Sequence, residues 1–180
     1  MDFNEGSLQF TFDASWNVFK YDDTPDYRKG IGALPETKAV DFIGVQRHVL
    51  FFIEIKDFRG HRIENQDRLL KGHLAIEIGQ KVRDSIAGLV SAHRAASNQD
   101  AFSPYVRPLF NLDDEIRVIV WIEQDLPNYN PKREKARKSV EGNVFKQKLR
   151  WFTSRVLVSN VDNNPLQQSG LTVRNLARDT

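Results

Sequence analysis

The chain contains no cysteine among its 180 residues. Disulfides, thiolate metal sites and a cysteine nucleophile are therefore excluded. Apolar runs are short, and none approaches the roughly 20 residues needed to span a bilayer. The opening stretch, MDFNEGSLQF, lacks the basic segment and apolar run of a secretory signal. No GxxxxGK[ST] or GxGxxG loop is present to cradle a nucleotide, and no serine sits in a nucleophile elbow. His48, His61, His73 and His93 are scattered without zinc-ligand spacing and read as surface or half-buried side chains. These absences suit a cytoplasmic protein with no membrane partner.

Hydrophobic residues make up 40% of the chain and charged residues 28%, an ordinary balance for one globular domain spanning 1–180. Net charge is only +2, but it is unevenly placed. Met1 to Gly60 carries ten acidic and seven basic residues, whereas Asn130 to Thr180 carries four acidic and eleven basic. Such asymmetry suits a protein that holds a metal with one part and a polyanion with another; a solvated surface with uneven charge is the plainer alternative. The basic residues Lys132, Arg133, Lys135, Arg137, Lys138, Lys146, Lys148 and Arg150 gather on a helical segment at about 132–152, ending in Trp151 and Phe152. Arg59, Arg62, Arg68 and Lys71 form a second basic set. Either could contact phosphates through sequence-blind, salt-sensitive binding.

Hydrophobic periodicity sets out the elements. Leu8, Phe10 and Phe12 alternate with polar residues, as a half-buried strand does. SWNVFKYDD reads as a short strand or helical turn, and TPDYRKGIGALPE as an irregular connection. KAVDFIGVQ and VLFFIEIKDF read as two strands joined by a turn at Gln46 to His48, hence as antiparallel neighbours. The second is continuously apolar from Val49 to Ile53, as expected of a strand covered on both faces. Ile78, Val82, Ile86, Leu89 and Val90 repeat at helical spacing, with Ala92 to Ala96 extending the helix and Asn98 and Pro104 marking its stop. EIRVIVWIE is another buried strand, and Pro127 to Pro131 a turn. Lys132 to Phe152 is a helix with Val140, Val144, Phe145, Leu149 and Phe152 on one stripe. Arg155 to Val158 is a last strand, and a peripheral tail follows NVDNNP. The order predicts an α/β domain with a mixed central sheet flanked by helices.

Asp41, Glu54 and Lys56 carry the chemistry. Glu54 and Lys56 are two apart on a strand and project from one face. Asp41 lies near the start of the preceding strand, so a hairpin brings it opposite them. Two carboxylates beside an ammonium suit phosphodiester hydrolysis. Magnesium prefers oxygen ligands and keeps several waters, lowers the pKa of a bound water and offsets charge on the phosphorane. A neighbouring lysine can orient that water or stabilise the same charge. An exposed strand-end ion pair is the alternative reading of Glu54 and Lys56.

Ala39-Val40-Asp41 followed by Ile53-Glu54-Ile55-Lys56 resembles the PD-(D/E)xK nuclease superfamily, with Val40 where the motif has proline. The resemblance covers about Lys38 to Phe58. It implies a restriction-endonuclease-like fold and a Mg (or Mn) dependent endonuclease, with DNA the expected substrate. Asp41, Glu54 and the backbone carbonyl of Ile55 are then the metal ligands, and Lys56 acts on the nucleophilic water. The family often adds an acidic residue from an early element, for which Asp22 or Asp23 is available, and a polar residue from the following helix, Gln80 or Lys81. A homodimer or a partner subunit supplying specificity suits this reading. A catalytically inactive nuclease-like domain that binds nucleic acid or a protein partner, and an RNA-directed nuclease, are the competing possibilities.

Overall fold

The computed structural model describes residues 1–60, 68, 69, 71–95, 99–125 and 131–176, with 99 and 131–138 described by backbone alone. At its centre lies β5 (Val49–Asp57), whose apolar run fills both faces. The chain reaches it through β3 (Trp16–Lys20) and β4 (Phe42–Gln46), which pair antiparallel, as do β4 and β5. Gln46 opposes Val49, so a two-residue turn at Arg47 and His48 fixes the register. Arg47 adopts φ 54°, the left-handed conformation such a tight turn requires.

β6 (Glu115–Glu123) runs parallel to β5, and β7 (Val156–Ser159) parallel to β6. Parallel neighbours need a crossover. The first contains α2 (His73–Ala95), and the second contains α4 (Pro131–Leu149). The result is a five-stranded mixed sheet in the order β3-β4-β5-β6-β7. Two shorter helices, α1 (Pro25–Lys29) and α3 (Ser103–Val106), lie in the connections. A second, antiparallel sheet is formed by β1 (Asp2–Glu5), β2 (Leu8–Phe12) and β8 (Leu171–Asn175), in the order β1-β2-β8.

Period-2 alternation on β5 sorts its side chains into two apolar layers. Leu50 and Phe52 join Leu74, Ala75, Ile78, Val82 and Leu89 of α2, with Phe145 and Leu149 of α4. Phe51, Ile53 and Ile55 face the other way, toward Leu8, Phe10, Phe12, Leu171 and Val173 of the small sheet. The mixed sheet is thus covered by helices on one side and by strands on the other. No helix among the described residues is long and apolar enough to cross a membrane.

Several expectations change. The tail beyond NVDNNP is not peripheral, because β8 pairs with β2 and buries Leu171 and Val173. β7 is therefore not the last strand. The TPDYRKGIGALPE connection contains α1, capped by the Thr24 side chain on the Tyr27 N–H, and a 3-10 turn at Ile31–Ala33. Pro104 does not stop a helix but opens α3. Val140 leaves the apolar stripe of α4: it is 63% exposed, while Phe145 and Leu149 are buried. His61, Arg62, Ala96, Asn98 and the turn at 127–130 lie outside the described residues.

Candidate active site

The site forms where β4 has just begun and β5 is about to end. Phe42 opposes Ile53 as the first pair of their ladder, and extending that register by one step sets Asp41 opposite Glu54. Asp41 shares the face of Ile43, and Glu54 that of Leu50 and Phe52, so both carboxylates point toward α2. Lys56 follows on the same face, with its ammonium 2.8 Å from Glu54 Oε1. The three residues named by the motif are therefore brought together.

Asp41 is held through its own carbonyl and carboxylate, and its approach is fixed by two bonds from Val40 and Lys38. Its carbonyl accepts from the Tyr21 N–H (2.8 Å), continuing the β3–β4 ladder by one residue. Just upstream, the Val40 N–H donates to Ser85 Oγ (3.0 Å) and the Lys38 N–H to Asp84 Oδ2 (3.1 Å), both on α2. The carboxylate itself accepts from the Ile55 N–H (2.6 Å) through Oδ2. In an extended strand the N–H and C=O of one residue point to the same side. The Ile55 carbonyl is thus directed to the same edge of β5 as Asp41, beyond the end of β4.

Helix α2 supplies two further charges. Lys81 places its ammonium 2.7 Å from Glu54 Oε1 and 3.9 Å from Asp41 Oδ1. Glu77, one turn earlier, lies 3.2 Å from Lys56 Nζ and 2.7 Å from Arg68. Of the two helix residues singled out in the sequence, Lys81 enters the site. Gln80 is exposed and lines a separate polar depression of about 470 Å³ with Glu36, Thr37, Lys38, Arg83 and Asp84. Of the two early acids, Asp22 is half-buried, with Oδ1 lacking a hydrogen-bond partner. Asp23 is instead paired with Lys20 (2.9 Å) and Arg28 on the surface.

Glu54 is fully buried, yet neither of its oxygens receives an aligned hydrogen bond. Its charge is met by ammonium groups gathered at one oxygen, and Oε2 stays unsatisfied, an arrangement that is unfavourable in a dry interior. Burial first, and then the negative charge of Glu54, push the Asp41 carboxyl up to about 7, against the offsetting Lys81 and Ile55 N–H. Burial also raises Asp22 above the ordinary aspartate range. Burial opposes the charge of Lys56, but Glu54 and Glu77 outweigh it and its pKa is raised. It therefore stays an ammonium at neutral pH. Glu77 is lowered despite its burial, because Lys56 and Arg68 flank it.

Among the described residues no group of three or more His, Asp or Glu side chains converges as a ligand set. The donors that fit a hard divalent cation are two carboxylates, Asp41 and Glu54, with the Ile55 carbonyl. The unsatisfied Glu54 Oε2 and the mutual repulsion of the two acids are what such a cation would relieve.

Other basic groups are placed less freely than the sequence suggests. Arg59 is committed to Asp57 (2.6 Å) and Ser7 (2.5 Å), tying β5 to the small sheet. Lys146, Lys148 and Arg150 are exposed at the end of α4; the side chains of Lys132 to Lys138 lie outside the described residues. His48 pairs with Asp114 at 3.2 Å, at the opposite end of β5 from the site.

The sequence reasoning missed Glu77, Asp84 and Ser85. Their signal is a second helical stripe, Glu77-Lys81-Asp84-Ser85-Gly88, at spacings of three and four beside the apolar one. Comparison with known proteins adds no relative: no family model, no curated protein and no solved structure matches the chain.

Proposed function

We propose that the chain is a metal-dependent nuclease of the PD-(D/E)xK type, hydrolysing phosphodiester bonds, with DNA as its substrate. The observation that carries this reading is the cross-strand pairing of Asp41 and Glu54 on the face that Lys56 also occupies. A mixed five-stranded sheet, with helices on one side and a small antiparallel sheet on the other, supports the reading at the level of an α/β architecture. Asp41, Glu54 and the Ile55 carbonyl would hold magnesium or manganese. The bound cation would supply a water of lowered pKa and offset charge on the phosphorane.

The protein's own groups do the remaining work. Lys56, kept charged by Glu54 and Glu77, orients the attacking water and stabilises the developing negative charge. The Ile55 N–H fixes the Asp41 carboxylate, so one of its oxygens is oriented before any ligand arrives. Exposed Lys146, Lys148 and Arg150 offer phosphate contacts that hold the polyanion without reading its sequence.

The test is nicking of supercoiled plasmid with magnesium present. Wild type should nick; Glu54→Gln and Lys56→Ala should lose activity by roughly 10²-fold or more, in the range seen when a transition-state contact is removed, with unchanged circular dichroism. Equal cutting by all three proteins would refute the assignment. A catalytically inactive nuclease-like domain is the second reading, favoured by the two ammonium groups that already compensate Glu54. It predicts salt-sensitive DNA binding without magnesium-dependent cleavage. Parallel assays on RNA separate an RNA-directed enzyme.

A further inference from the structure

We propose that Lys81 is a built-in counter-cation that occupies the position between Asp41 and Glu54 and must be displaced when a divalent cation binds. The inference rests on the metal-site reading above and concerns how that site is gated.

The geometry singles out Lys81. Among the described residues its ammonium is the cation that reaches both acids, 2.7 Å from Glu54 Oε1 and 3.9 Å from Asp41 Oδ1. Lys56 contacts the same Glu54 oxygen at 2.8 Å and shares its charge with Glu77, at 3.2 Å, rather than with Asp41. Lys81 comes from α2 rather than from the sheet, and its long stem can withdraw while the carboxylates stay fixed on the strands. Asp41 is anchored by the Ile55 N–H and Glu54 by its place in the β5–β6 ladder, so the flexible partner is the lysine. Its side chain is 15% exposed, so the lysine is not sealed from solvent.

Charge balance supports the same conclusion. Glu54 faces Lys56 and Lys81, Asp41 faces Lys81, and Glu77 faces Lys56 and Arg68, while Asp22 adds a further acid near Lys81. Glu54, the fully buried acid, is thus already compensated by two ammonium groups. Inserting a divalent cation without moving a base would place like charges together in a partly buried space, which is strongly unfavourable. A Lys81 ammonium released toward solvent becomes available to a substrate phosphate. Metal and polyanion would then favour each other's binding, each taking one partner of the Lys81–Glu54 pair.

Lys81→Met keeps the stem and removes the charge. Manganese titration by calorimetry, without nucleic acid, should show the variant binding on the order of tenfold more tightly than wild type. Metal-free, the variant should melt several degrees lower, having left Glu54 with one ammonium, and saturating manganese should restore the loss. Lys56→Met should gain clearly less affinity, because Lys56 does not bridge the acids. Equal affinity in wild type and Lys81→Met would overturn the counter-cation role and leave the metal site standing. Equal gains in both lysine variants would reduce the effect to general charge and overturn the bridging role. Absence of manganese binding in all three proteins would overturn the metal-site reading and this inference together.

Discussion

Asp41 and Glu54 stand across the end of a hairpin with their carboxylates turned into a region that excludes most water. Asp41 carries the energetic consequence, with its pKa pushed up to about 7 by burial and by Glu54. A carboxyl raised in the folded state binds its proton more tightly there than in the unfolded chain. Its contribution to stability is complete below the ordinary aspartate pKa of 3.8 and is lost progressively as pH rises to about 7. In chelator the protein should therefore lose stability from this group between about pH 4 and pH 7. Asp41→Asn removes the charge and keeps an oxygen for the Ile55 N–H. In chelator at pH 8 it should be more stable than wild type by about 1–3 kcal/mol, with the difference shrinking toward pH 5. Urea denaturation at the two pH values measures this. A variant less stable than wild type at pH 8 would show that the Asp41 carboxylate is a structural acceptor and not a strained functional group.

At the scale of elements, α2 explains how the site is held and why part of it escaped the sequence. Its apolar stripe, Ile78, Val82, Ile86 and Leu89, is legible because period-3.6 hydrophobicity has few other meanings. Lys81 is singled out by the resemblance alone, and its neighbours Glu77, Asp84, Ser85 and Gly88 read locally as an ordinary solvent-facing surface. Only the position of the strand ends turns it into a wall of the site. Gly88 ends that surface against Tyr21: a Cβ there would meet the Tyr21 hydroxyl at 2.1 Å and Ile31 at 2.8 Å. Helix propensity alone favours alanine over glycine by about 1 kcal/mol. The steric conflict dominates, and Gly88→Ala should destabilise by about 1–3 kcal/mol, measured by chemical denaturation. Stabilisation by this substitution would mean that Tyr21 does not occupy the space under α2. β5 and β6 were legible for the opposite reason. Both are buried on two faces, and their uninterrupted apolar runs leave little choice of structure.

The whole molecule is a mixed sheet with helices on one side and a small antiparallel sheet on the other, and the second half of that statement was beyond local sequence reading. β1 is four residues long and polar in part, and β8 pairs with β2 across more than 150 residues of chain. No local period records such a pairing. It is nonetheless well fastened. Trp16 Nε1 and Gln46 Nε2 both donate to the Ser169 carbonyl at 2.6 Å, and Arg59 joins Asp57 to Ser7. Leu171 is fully buried between the sheets. Leu171→Ala should cost about 2–5 kcal/mol by urea denaturation, and a loss near zero would return this segment to the periphery. The small sheet backs β5 through Phe51, Ile53 and Ile55, the residues that alternate with Glu54 and Lys56, so packing on one face sets the position of the charges on the other. The candidate site thus depends on both layers, which together fix where a cation would sit. Anomalous diffraction from manganese-soaked crystals reads that position. A peak contacted by Asp41, Glu54 and the Ile55 carbonyl, with Lys81 withdrawn, is expected; saturating manganese that leaves this position empty, with Lys81 still bridging the two acids, would overturn the cation site.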